Sequence, residues 1–169
     1  MVPTDFDEFF RLDFARLVAF LRKAGFGRLE AEDAAAEAMA CAYQSWATLT
    51  RPRGWVRKAA YRSAVNTAMR NRERIERAIA GGWSDAGSRD DSGQCAIIEE
   101  KHEVLRRLAR LPERQRLVMA YHLDGFDHAE IAELLDMSAP NVRSTLRHAR
   151  ERLKREYFEE RGGGTDEPQ

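Results

Sequence analysis

Between His128 and Leu153 the sequence reads HAEIAELLDMSAPNVRSTLRHARERL. Val142, Leu146, Ala149 and Leu153 recur at spacings of four, three and four, which is the buried stripe of a helix. Asn141, Arg143, Ser144, Arg147, His148 and Arg150 are then left to face outwards. Arginine and asparagine can read base edges in the major groove of DNA, and serine can bond a phosphate. Upstream, His128 to Leu135 reads as a shorter helix that buries Ile131, Ala132, Leu134 and Leu135. Between the two, Asp136 tolerates the left-handed backbone that a sharp turn needs. Ser138 suits the N-cap and joins the DNA-facing set, and Pro140 suits the first turn of the second helix. The pattern is a helix-turn-helix with a basic recognition helix. A helical hairpin with a solvated basic face has the same pattern.

A second set of residues points to single strands. Arg51, Arg53, Lys58, Tyr61, Arg62, Asn66 and Arg70 lie in a basic stretch that opens on Arg51-Pro52-Arg53-Gly54. Cations can track an unpaired backbone while an aromatic ring stacks on a base. Tyr61 takes the stacking role here. Trp46 and Trp55 lie on apolar stripes and are read as core.

No chemistry of bond making is expected. There is no GxxxxGK[ST] loop, no metal-ligand spacing among His102, His122, His128 and His148, and no signature around Cys41 or Cys95. The expectation is a protein without cofactor or metal, and not an enzyme. The two cysteines are expected as reduced thiols of a cytoplasmic protein. No apolar run approaches a membrane span, so no membrane contact is expected, and Met1 to Asp5 has no secretory-signal character.

The 169-residue chain has a formal net charge of zero, but the charge is unevenly placed. Arg51 to Arg77 holds nine Arg/Lys and two acids, a net +7, and Pro140 to Tyr157 holds six and two, a net +4. Two basic blocks therefore sit on an acidic remainder, as expected if two places touch phosphates while other surfaces face something else.

The elements that must position these residues are all helices. Phe10, Phe14, Leu17 and Leu21 mark a first amphipathic helix that Gly25 and Gly27 end. A second spans about Leu29 to Ala47, with Ala35, Met39, Ala42, Tyr43 and Trp46 on one stripe. Thr48 to Gly54 reads as a loop, and a third helix runs from about Trp55 to Ile79. The Gly-, Ser- and Asp-rich stretch that follows reads as a flexible linker. Helices resume near Ile97 and run to Arg110, where Pro112 separates them from a helix ending at Asp124-Gly125. Asp127 with Glu130 forms a capping box for the next helix. The fold class is all-α: two small helical domains, residues 1–79 and 97–158, a linker over 80–96 and a disordered tail over 159–169.

From about Phe6 to Phe158 the chain resembles the extracytoplasmic-function sigma factors of bacterial RNA polymerase. LARLPERQRLVMAYHLDGFDHAEIAELLDMSAPNVRSTLRHARERLKR (Leu108 to Arg155) is similar to the family's region 4, which binds the promoter −35 element. EAEDAAAEAMACAYQSW (Glu30 to Trp46) is similar to region 2.2, which docks on the polymerase core. RPRGWVRKAAYRSAVNTAMRNRER (Arg51 to Arg74) is similar to regions 2.3 and 2.4, which melt and read the −10 element. The resemblance implies core contacts from Asp33, Glu37, Met39 and Tyr43, base capture by the Thr48–Gly54 loop, and restraint by an anti-sigma factor. Three places depart from the family pattern: Asp136 replaces the usual turn glycine, Ala34 to Ala36 replace larger side chains, and Arg62 and Asn66 replace a common Asn and Asp. The alternative is a helix-turn-helix regulator that binds duplex DNA without polymerase. Such a protein has no need of the basic, aromatic-containing block from Arg51 to Arg77.

Overall fold

A computed structural model describes residues 5–81 and 96–162. Among these residues seven α-helices and one short 3-10 turn are formed, and no strand. They are α1 (Phe6–Ala24), α2 (Arg28–Gln44), α3 (Pro52–Ala80), α4 (Ala96–Ala109), α5 (Glu113–Leu123), α6 (His128–Leu134) and α7 (Ala139–Gly162), with the 3-10 turn at Trp46–Thr48. The chain divides into two compact units, one built on α1 to α3 and the other on α5 to α7 with the C-terminal part of α4. The expected linker falls almost wholly on residues 82–95, outside those described.

In the first unit α1 ends where Gly25 takes a φ of +107°, a conformation that costs glycine little. Glu30 then accepts the Gly27 N–H at 3.0 Å, half of a capping box that starts α2. The buried side of α2 is almost all alanine: Ala31, Ala34, Ala35, Ala38 and Ala42, with Met39. It faces Gly54, Val56, Ala60 and Ala64 of α3. Small side chains on both helices let the axes approach closely. Of the alanine run that departs from the family pattern, Ala34 and Ala35 belong to this packing surface, while Ala36 is exposed. Rings close the other end of the unit. Phe6 and Phe9 of α1 lie 5.3 and 5.0 Å from Trp46, and Phe6 lies 5.1 Å from Tyr43.

One charged pair lies inside this core. Arg57 of α3 is fully buried, and its guanidinium donates to both carboxylate oxygens of Asp13 on α1, one contact at 2.9 Å. Arg57 therefore contributes nothing to the basic surface that the charge count implied. Leu17 and Leu21 of the expected α1 stripe are buried, but in its first half Phe9 and Asp13 take the places expected for Phe10 and Phe14. Phe9, Asp13, Leu17, Phe20 and Leu21 face in, while Phe10 is exposed. Helix α3 starts at Pro52, three residues before the expected Trp55, because proline suits the first helical position. Trp55 then lands on the outer side and is not core.

In the second unit Leu108, Leu111, Val118, Tyr121, Phe126, Ile131, Val142, Leu146 and Ala149 form the core. The Asp127 carboxylate accepts the N–H groups of Ala129 and Glu130, each at 2.8 Å, and Glu130 accepts from Asp127 N–H at 2.8 Å. This completes the expected capping box. Asp136 has a φ of +53°. The Met137 N–H reaches the Ala132 carbonyl at 2.8 Å, the six-residue closure of a Schellman turn. Ser138 Oγ accepts from Asn141 N–H at 3.4 Å and caps α7. Helix α7 continues past Phe158 to Gly162, so part of the expected tail is helical.

Two stability measurements check this description. Asp13→Ala leaves a buried guanidinium uncompensated and should cost about 3–5 kcal/mol in urea unfolding. Replacing both partners by Leu and Met should recover most of that loss. Asp136→Gly relieves a left-handed non-glycine residue and should raise stability by up to about 1 kcal/mol, whereas Asp136→Val should lower it.

Candidate nucleic-acid interface

The recognition helix is arranged as its sequence implies. Val142, Leu146 and Ala149 are buried, and Leu153 is half-buried. Asn141, Arg143, Arg147, His148 and Arg150 are exposed, Ser144 is half-buried, and Ser138 is exposed at the cap. Helical geometry then divides the set. At 100° per residue, Ser144, Arg147 and His148 lie well away from the buried stripe, at the centre of the outward face. Arg143 and Arg150 each follow a buried residue directly and leave the helix at its edge. In a major groove the centre of the face meets base edges and the margin meets the sugar-phosphate backbone.

Two features of this face were not read from the sequence. Glu151 sits on the same outward side, with Arg147 Nε 3.8 Å from its carboxylate. Its i,i+4 spacing from Arg147 is the signal that could have found it. At the margin, Arg150 donates a hydrogen bond to His122 of α5, Nη2 to Nε2 at 2.7 Å. A guanidinium can only donate, so Nε2 is the acceptor and the imidazole carries its proton on Nδ1. The His122 pKa is pushed below the ordinary histidine value by burial first, then by the charges of Arg150 and His128. The His128 ring of α6 lies 6.1 Å from it.

The first unit carries the second set. Lys58, Arg62, Asn66 and Arg70 are exposed along α3, and Arg51 is exposed at its N-cap. Arg53 is half-buried, with its carbonyl 3.5 Å from Arg57 Nη1. Tyr61 is half-buried and stands edge-on to Phe26 at 5.6 Å. The aromatic that shares the outer face of Lys58, Arg62 and Asn66 is Trp55, with Met69 one turn further on. Sequence reasoning assigned Trp55 to the core because apolar residues flank it. The spacing of three and four from Trp55 to Lys58 and Arg62 was the available signal.

The four residues expected to contact a core enzyme do not form one set. Asp33, Glu37 and Tyr43 are exposed on α2, and the Glu37 carboxylate accepts from the Ser63 hydroxyl of α3. Met39 is 1% exposed and belongs to the helix-packing core, so it presents nothing to a partner. Leu29, at 70% exposed, lies on the outward side of α2 instead. No group of three or more histidine, cysteine or acidic residues able to hold a metal is present among the described residues. Nor is any helix among them long and apolar enough to cross a membrane.

Residues 101–153 match the family of sigma-70 region 4. None of the curated proteins matches the chain in sequence. Among the solved structures that share its fold are two complexes. One is the sigma factor RpoE of Bartonella quintana, solved with the anti-sigma factor NepR. It is 20% identical with a TM-score of 0.65, over 89% of this chain and 95% of that one. The other is CnrH, solved with the cytosolic domain of CnrY. It is 17% identical with a TM-score of 0.65, over 90% of this chain and 87% of that one. The second unit thus carries the match to sigma-70 region 4, and the chain shares the fold of these two structures along nearly its whole length.

Proposed function

We propose that the two basic surfaces divide promoter recognition between them, and that the chain acts by binding and not by catalysis. The observation that carries this reading is the region 4 match on a helix-turn-helix whose outward face is Ser144, Arg147 and His148. That face reads the −35 duplex from the major groove, with Arg143, Arg150 and Ser138 on the flanking phosphates and Asn141 at the helix start. On the first unit, Arg51, Lys58, Arg62, Asn66 and Arg70 follow the separated −10 strand. Trp55 supplies the stacking surface, with Tyr61 at its margin. Extruding a base costs a few kcal/mol, which stacking and cation contacts must return.

The outer face of α2, with Leu29, Asp33, Glu37 and Tyr43, docks on the polymerase core. The chain works in the cytoplasm, where core and promoter are found. One solved neighbour was captured with the anti-sigma factor NepR, the other with the cytosolic domain of CnrY. An anti-sigma factor that restrains this chain is the corresponding expectation.

Three measurements test the reading. The purified chain should co-elute with sigma-free core in size-exclusion chromatography, and Asp33→Arg should abolish this while leaving the fold intact. Arg147→Ala should weaken use of an intact −35 element by about 1–3 kcal/mol and leave a scrambled element unaffected. Trp55→Ala with Lys58→Ala should block opening, read by permanganate reactivity, while core binding persists. A chain that ignores core but shifts specific duplex DNA would be a conventional helix-turn-helix regulator.

A further inference from the structure

The corner where α5, α6 and α7 meet holds an arginine and two histidines. Arg150 leaves α7 at the margin of the recognition face, beside the half-buried His122 ring, 2.7 Å from it. His128 enters from the start of α6, with its ring 6.1 Å from that of His122. The charged and titratable groups acting on His122 are Arg150 from α7 and His128 from α6. Asp124, the C-cap of α5, is the nearest acid along its own chain segment.

We propose that Arg150, His122 and His128 clamp one phosphate of the DNA backbone, and that seating this phosphate draws a proton onto His122. The inference rests on the duplex-binding role given to the second unit above. In the free protein a proton on Nε2 of His122 would break its hydrogen bond from Arg150 and place two cations in contact. An arriving phosphate reverses that balance. Arg150 turns its N–H groups to the phosphate oxygens, and solvent supplies a proton to Nε2. That atom changes from acceptor to a second donor toward the anion. His128, at the start of α6, adds a further donor. No other protein group has to change its protonation for the step to balance. The position fits a backbone contact, because Arg150 lies at the edge of the face and not at its centre.

The consequence is proton-linked binding. A group that holds its proton more firmly when DNA is bound makes affinity grow as pH falls between the free and bound values. The chain has four histidines, so their ring protons can be followed individually by NMR. The probe is a mixed-sequence duplex of about twenty base pairs at low salt, since a phosphate clamp does not depend on sequence. His122 should titrate at a higher pH with duplex than without it, by about one unit. Wild-type affinity should rise about three- to tenfold more than that of His122→Gln between about pH 7.5 and 6. Because the His122→Gln substitution could disturb α5, the exposed Arg150→Gln serves as the second variant and should flatten the same profile. Duplex binding with parallel pH profiles in all three proteins, and an unchanged His122 titration, would overturn the clamp and leave the sigma reading standing. Absence of any duplex binding would overturn the clamp and take the −35 assignment with it.

Discussion

The buried pair of Arg57 and Asp13 sets the geometry of the first unit. A guanidinium removed from water is tolerable only with its charge and hydrogen bonds met, and Asp13 meets them through both carboxylate oxygens. Such a pair adds little net stability over an apolar one, but it admits only one rotation of α3 against α1. That rotation decides which residues of α3 face outwards. With Arg57, Val56, Ala60 and Ala64 turned in, Trp55, Lys58, Arg62 and Asn66 must turn out. The surface that would hold a separated strand is therefore fixed by an interaction on the opposite side of the helix.

The same economy governs α2 and α3. Alanine and glycine line their contact, and Met39 is buried among them. The exposed side of α2 carries Leu29, Asp33, Glu37 and Tyr43. In the second unit the equivalent constraint is the turn at Asp136. The left-handed residue and the Schellman closure set the angle at which α7 leaves α6. The recognition helix is aimed by a few backbone hydrogen bonds, and its core stripe of Val142, Leu146 and Ala149 holds it there.

The second unit was largely legible in the sequence because its signals are local. A capping box, a left-handed turn residue, an N-cap serine and a four-three-four apolar spacing each act within a few residues, and each is formed. The first unit was less legible because its decisive contacts join distant residues. Nothing near Arg57 in sequence marks it as the partner of Asp13, so it was counted with the surface cations. Trp55 looks like core because apolar residues accompany it in sequence, yet those that turn inwards are Val56, Ala60 and Ala64, and Trp55 is left on the other side. Met39 looked like a contact residue because its family position suggested one, while the alanines around it needed a filler. His122 gave no sign of its role, since its partner Arg150 lies 28 residues away.

We propose that this chain gives a polymerase its promoters. The most direct measurement combines the purified chain with sigma-free core on fragmented genomic DNA and sequences the new 5′ ends. The predicted result is a set of discrete starts that share two upstream elements, one read by each unit. Random starts, or none, from a folded chain that binds core would contradict it.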